Sequence, residues 1–231
     1  MALTSPDPVG PAEDTRLLRQ GGMAGVLGSI LLLGAFAVVI AFGLPDVSET
    51  ESLLRYPEIR TARIVESILY LAALVLMMIH ILALYRTLRR TSLAASLFGG
   101  AVGILGLAVL ICGALLHLAT APLADLHGSA AAEDKATVVL VWQGVQSVFD
   151  TLLVTGAVLV PFGLIALGWA MLRSPSFGAA IGWVGLGLGM VGLLGSAVAV
   201  VDPGSPAVAA SILSMVAFHA IVGVKSYRQP R

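Results

Sequence analysis

The chain has 231 residues, of which 58% are hydrophobic and 11% charged, and its 13 basic residues balance 13 acidic ones. Soluble domains hold about 45–50% apolar and about 25% charged residues, so a water-soluble fold is excluded, and zero formal charge removes any bulk electrostatic case for a nucleic-acid partner. The apolar residues fall in long blocks without the alternation of barrel strands, and such blocks cross hydrocarbon as helices because a helix makes its own backbone hydrogen bonds.

Residues 1–22, with Pro6, Pro8 and Pro11, read as a flexible cytoplasmic tail ahead of an uncleaved first span. A six-span membrane domain is expected over 23–225. Its spans cover about 23–44, closed by Pro45-Asp46; 64–85, closed by Arg86, Arg89 and Arg90; and 93–118, before a loop marked by Pro122 and Gly128. The remaining spans cover about 151–172, 177–201 and 206–224, with a cytoplasmic tail at 226–231. From Ala136 to Leu172 the only charge is Asp150, and at about 1.5 Å per residue this run would reach about 55 Å as one helix. The excess is expected as an amphipathic outer extension before the fourth span, with Gln143, Gln146, Ser147 and Asp150 on one face. The class is thus an all-α polytopic membrane bundle.

Basic residues set the expected orientation. With the N-terminus inside, Arg16, Arg19, Arg86, Arg89, Arg90, Arg173, Lys225, Arg228 and Arg231 are cytoplasmic, nine of the 13 Lys and Arg. The outer loops hold Arg55, Arg60, Arg63 and Lys135 among most of the acids. This is the positive-inside pattern for a bacterial plasma-membrane protein with both termini in the cytoplasm. Cys112, the single cysteine, lies in an apolar block and excludes an internal disulfide.

Small residues predict the packing. Gly178, Gly182, Gly185, Gly189, Gly192 and Ser196 form a stripe spaced 4-3-4-3-4, and Gly99, Gly103, Gly106 and Gly113 make a shorter one. Such stripes let helix backbones approach closely, within one subunit or across a homodimer seam. The segments 88–95 and 172–179 also align at a constant offset of 84, placing Tyr85 on Trp169, as two parallel hairpin repeats would.

The segment Phe162 to Ser174 (FGLIALGWAMLRS), Gly182 with the glycine-rich span after it, and Ala83 to Leu88 (ALYRTL) resemble the bacterial domain-of-unknown-function 4386 family over about residues 60–200. One departure is Pro175 preceding Ser176-Phe177-Gly178, where the family pattern has its proline after the apolar residues. The resemblance implies a multi-pass bacterial membrane protein. It supplies no activity, substrate or catalytic residue.

Polar residues inside spans are expensive, about 2.5–3.5 kcal/mol for a charge at a helix centre, which marks them as site candidates. Glu66, His117 and Asp150 fall near the outer boundary, where they could converge as ligands for zinc or another divalent ion with Gln143 and Gln146 beside them. Against this, no H-E-x-x-H spacing is present, and each residue could simply face interfacial water. His80 and His219 lie at matched depth, roughly 8–9 Å from the inner end by helical rise, and form a possible inner-leaflet pair or two separate packing residues. Pro161 deprives the Ala157 carbonyl of its helical donor and predicts a kink.

No Walker motif, dinucleotide fingerprint or nucleophile elbow occurs. The leading expectation is a non-enzymatic module that contacts a small ligand or lipid, or serves as an accessory to another membrane protein or a second copy of itself. A small-molecule carrier and a metal-dependent enzyme are the rivals. The cofactor and the ligand are not specified by the sequence.

Overall fold

The computed structural model describes residues 11–43, 50–202 and 205–229. All regular structure in them is helical: α1 (Pro11–Phe42), α2 (Thr50–Leu88), α3 (Leu93–Leu118), α4 (Thr120–Ser129), α5 (Lys135–Leu172), α6 (Gly178–Val201) and α7 (Val208–Tyr227). Six of these stretches are long and apolar enough to cross a membrane, α3 and α4 counting together as one. The expected stop at Pro45-Asp46 lies outside the described residues.

The helices close into a ring. Each of α1, α2, α3, α5, α6 and α7 packs on the next, and α7 returns to α1. Arg19 of α1 lies over the Tyr227 ring of α7 at 5.3 Å, so both ends of the described chain share one end of the ring, called here the terminal end. Its axis is filled by Leu74, Met77, Ile81, Leu84, Leu107, Leu164, Leu167 and Phe218, all fully buried.

Glycines set how closely the ring is drawn. A methyl group on Gly163 would fall 2.7 Å from the Gly103 backbone nitrogen, and one on Gly168 2.6 Å from the Leu186 nitrogen. Gly182, Gly185, Gly189 and Gly192 face Leu172, Gly168, Ile165 with Pro161, and Ser214. The stripe on α6 is therefore covered by α5 and α7 of the same chain. Gly178 is not part of that seam. It has open space around it and a φ of +76°, which turns the chain from the α5–α6 loop into α6.

Several boundaries differ from expectation. Residues 11–22, expected in the tail, are helical, because Pro11 suits a first helical position and Asp14 is anchored to Arg86 at 3.0 Å and Arg90 at 2.5 Å. The segment marked by Pro122 and Gly128 is helix α4, since Ala119 keeps an α conformation and Pro122 falls in the first turn, where no helical acceptor awaits its missing N–H. The extension at 136–150 does continue the fourth span, in one 38-residue helix. It stands upright because it has a partner. The 39-residue α2 overshoots at the same, distal end, and Trp142, fully buried, packs edge-on against Tyr56 at 5.9 Å in a cluster with Leu53, Ala121 and Ala124.

Candidate functional site

One face of α2 carries Arg63, Glu66, Ser67 and Tyr70, spaced i, i+3, i+4 and i+7, so their side chains stack along a single line. That line turns toward the inside of the ring in its distal half. Glu66 Oε2 lies 3.6 Å from His117 Nδ1 and 3.9 Å from the Arg63 guanidinium. Ser67 Oγ meets His117 Nδ1 at 3.3 Å. His117 is fixed from two further sides: Phe149 covers its ring at 5.1 Å, and Thr120 Oγ1 donates to its carbonyl at 2.6 Å where α3 passes into α4. Its Nε2 has no hydrogen-bond partner among the described residues.

Beside this group is a cavity of about 140 Å³, walled by Leu32, Ala35, Phe36 and Val39 of α1, Phe149 and Leu153 of α5, and Ile212 of α7. Glu66, Tyr70 and His117 supply its polar side. α1 and α5 do not pack on each other directly, and the cavity occupies that gap. Its walls are hydrocarbon and its polar groups lie together, so it suits a molecule with an apolar body and one hydrogen-bonding end.

The other sequence candidates divide. Glu66 and His117 are brought together as expected, but Asp150 does not line the cavity. Among the described residues no three His, Cys, Asp or Glu side chains are grouped to hold a metal ion, and the third position around Glu66 is taken by a guanidinium, which repels a cation. Gln143 is exposed and donates to Thr50 Oγ1 at 3.4 Å, whereas Gln146 is 1% exposed with neither amide atom hydrogen-bonded among the described residues. The two glutamines therefore do not line one pocket.

His80 and His219 meet. Their Nδ1 atoms are 3.0 Å apart and both rings are fully buried on the ring axis, against Gly25 and Phe218. One Nδ1 must donate and the other accept, so two neutral rings hold different tautomers. Both Nε2 atoms lack partners among the described residues. Pro161 leaves the Ala157 carbonyl without its helical donor, and two serines supply the bond. Ser211 Oγ donates to the Ala157 oxygen at 2.8 Å, Ser196 Oγ also bonds it, and the adjoining void is only about 10 Å³.

Arg63, Ser67, Tyr70 and Phe149 were not recognised as site residues from the sequence. The i, i+3, i+4, i+7 spacing on α2 was the available signal, obscured by treating Arg63 as a loop charge.

A closed ring of membrane-length helices with a buried polar group beside an apolar cavity defines a polytopic helical membrane protein. The chain belongs to the domain-of-unknown-function 4386 family, whose model matches residues 21–224. No curated protein and no solved structure matches it.

Proposed function

We propose that this protein is a non-enzymatic module of the bacterial plasma membrane that holds one end of a small amphiphile in its distal cavity. The observation that carries the reading is the joining of Glu66 and His117 to walls of hydrocarbon from α1, α5 and α7. Size narrows the ligand. At about 140 Å³ the cavity falls below the roughly 300–1,000 Å³ of sites that enclose a drug-sized molecule, so it takes the head and first carbons of a longer chain. A carboxylate and an imidazole favour a head that donates a hydrogen bond, and the Arg63 guanidinium beside Glu66 disfavours a cation, so the head is a neutral alcohol in preference to an ammonium or a carboxylic acid. The distribution of Lys and Arg supports both termini in the cytoplasm, which would put the cavity in the outer half of the bilayer.

The test is thermal unfolding of purified protein in maltoside micelles with decanol, decylamine or decanoate. Saturable stabilisation by decanol, stronger than by decylamine or decanoate and lost in Glu66→Leu, is the expected result. Equal response to all three, or an unchanged response in Glu66→Leu, refutes the reading. Cysteine labelling at position 228 in intact and opened cells checks the orientation.

A carrier is the second reading, favoured by one observation: the cavity and the small void beside Ala157 share Leu153 and Ile212 as walls, so movement of these two side chains would join them. Flux of the same amphiphiles across vesicles carrying the protein, above protein-free vesicles, would replace the binding role with transport.

A further inference from the structure

The terminal end of the ring holds a second cavity, separate from the distal one and independent of the function proposed above. It encloses about 450 Å³, within the roughly 300–1,000 Å³ range of small-molecule sites. Its polar lining includes Asp14, Thr87, Arg90, Ser174, Ser176 and Gln229, contributed by the start of α1, the α2–α3 turn, the α5–α6 turn and the chain beyond α7. The two turns are the segments that align at an offset of 84, with Arg90 corresponding to Ser174.

Charge selects the sign of the ligand. Arg86, Arg89, Arg90, Arg173, Lys225 and Arg228 stand at this end against Glu13 and Asp14, so the local field attracts anions. Asp14 is held by two guanidiniums, Arg86 Nε at 3.0 Å and Arg90 Nη2 at 2.5 Å, leaving the trio with an excess positive charge. Arg86 and Asp14 are mostly buried, but the Arg90 side chain is 51% exposed and can turn from Asp14 to an incoming anion without unmaking the Arg86 contact. Ser174 lies buried with its hydroxyl unpaired among the described residues, and Gln229 is fixed by donating to the Ser176 carbonyl at 2.5 Å. A planar guanidinium with a neighbouring hydroxyl donor is phosphate-binding chemistry.

We propose that the terminal-end cavity binds a phosphate group through Arg90 and Ser174, with the Asp14 carboxylate occupying Arg90 when the site is empty. Asp14 then acts as an internal competitor. The phosphate belongs either to a solute or to an anionic lipid headgroup.

The experiment measures thermal unfolding of the full chain in maltoside micelles, titrated in one arm with inorganic pyrophosphate against sodium chloride at matched ionic strength, and in the other with phosphatidylglycerol. Saturable stabilisation is expected in at least one arm. Arg90→Gln should weaken it roughly tenfold or more, from the worth of a hydrogen bond to a charged group. Ser174→Ala should weaken it a few-fold, and Asp14→Asn, by removing the competitor, should strengthen it a few-fold. Arg89→Gln, an equal loss of charge outside the cavity, should change it little. Response to pyrophosphate alone assigns a solute and response to the lipid alone assigns a headgroup. No saturable response in either arm overturns the proposal, as does equal weakening by Arg89→Gln and Arg90→Gln, or weakening by Asp14→Asn.

Discussion

The Ala157 carbonyl provides a sharp test of how the bundle accommodates Pro161. Proline removes the N–H that would bond this oxygen, and Ser196 of α6 and Ser211 of α7 reach it instead. Loss of either serine leaves the other in place, so each single alanine variant should cost about 0.6 kcal/mol, the average for interhelical hydrogen bonds measured in a membrane protein. Loss of both strands a buried carbonyl, worth about 1–3 kcal/mol, so the double variant should exceed the sum of the singles by up to about 2 kcal/mol. Adding Pro161→Ala to the double variant restores an N–H in the right place and should recover part of the loss, less the packing of the proline ring against Gly192. Reversible unfolding in mixed micelles of maltoside and dodecyl sulfate measures all four variants. Additive single losses with no recovery by Pro161→Ala would refute the account and leave the two serines as ordinary packing residues.

Gly163→Ala should destabilise by about 1–3 kcal/mol through overpacking against Gly103, while Gly187→Ala, which meets nothing within 4 Å, should be neutral or stabilise by up to about 1 kcal/mol; the same unfolding assay reads both. Trp142→Ala should cost about 3–5 kcal/mol within the distal cluster, seen as faster hydrogen exchange at 50–63 and 135–146 with protection at the terminal end unchanged. His80→Leu should cost more than the double His80→Leu, His219→Leu variant relative to its size, because the single change strands a buried Nδ1 at about 1–3 kcal/mol; equal or additive costs would argue that the 3.0 Å contact carries no stabilisation.

The six spans were readable because span length and hydropathy are properties of a continuous stretch, and the bilayer's thickness gives them a fixed scale. Depth could be read for the same reason. His80 and His219, each counted from the basic end of its helix, do meet, and the orphaned Ala157 carbonyl followed directly from the chemistry of proline. What the sequence withheld was rotation about the helix axis. In a soluble helix the polar face reports the outside, but here lipid-facing and core-facing positions are equally apolar, so Leu27 and Leu32 look alike although one is exposed and the other buried. Asp150 therefore shared a level with Glu66 and His117 without sharing their cavity, and Gln143 and Gln146 parted company on one helix. The closely packed row Gly21, Gly25 and Gly28 on α1, which faces Ala83, His80 and Ala73, was not legible, because apolar sequence does not tell which glycines turn toward a neighbouring helix. The distal cluster around Trp142 was hidden because it depends on two overlong helices finding each other.

The contact between α1 and α7 bears on how the molecule is built. A methyl on Gly22 would lie 2.6 Å from the Gly223 oxygen, and Ser29 Oγ reaches the Val216 carbonyl at 3.0 Å, so the packing of α1 is completed by α7, made about 180 residues later. Until synthesis reaches residue 227, α1 must wait beside α2 with one flank, and the unpaired edge of His80, turned to lipid. Assembly intermediates should thus be short-lived and prone to capture by quality-control proteases, and a nascent chain halted after α6 should be degraded even though α1 to α6 are in place.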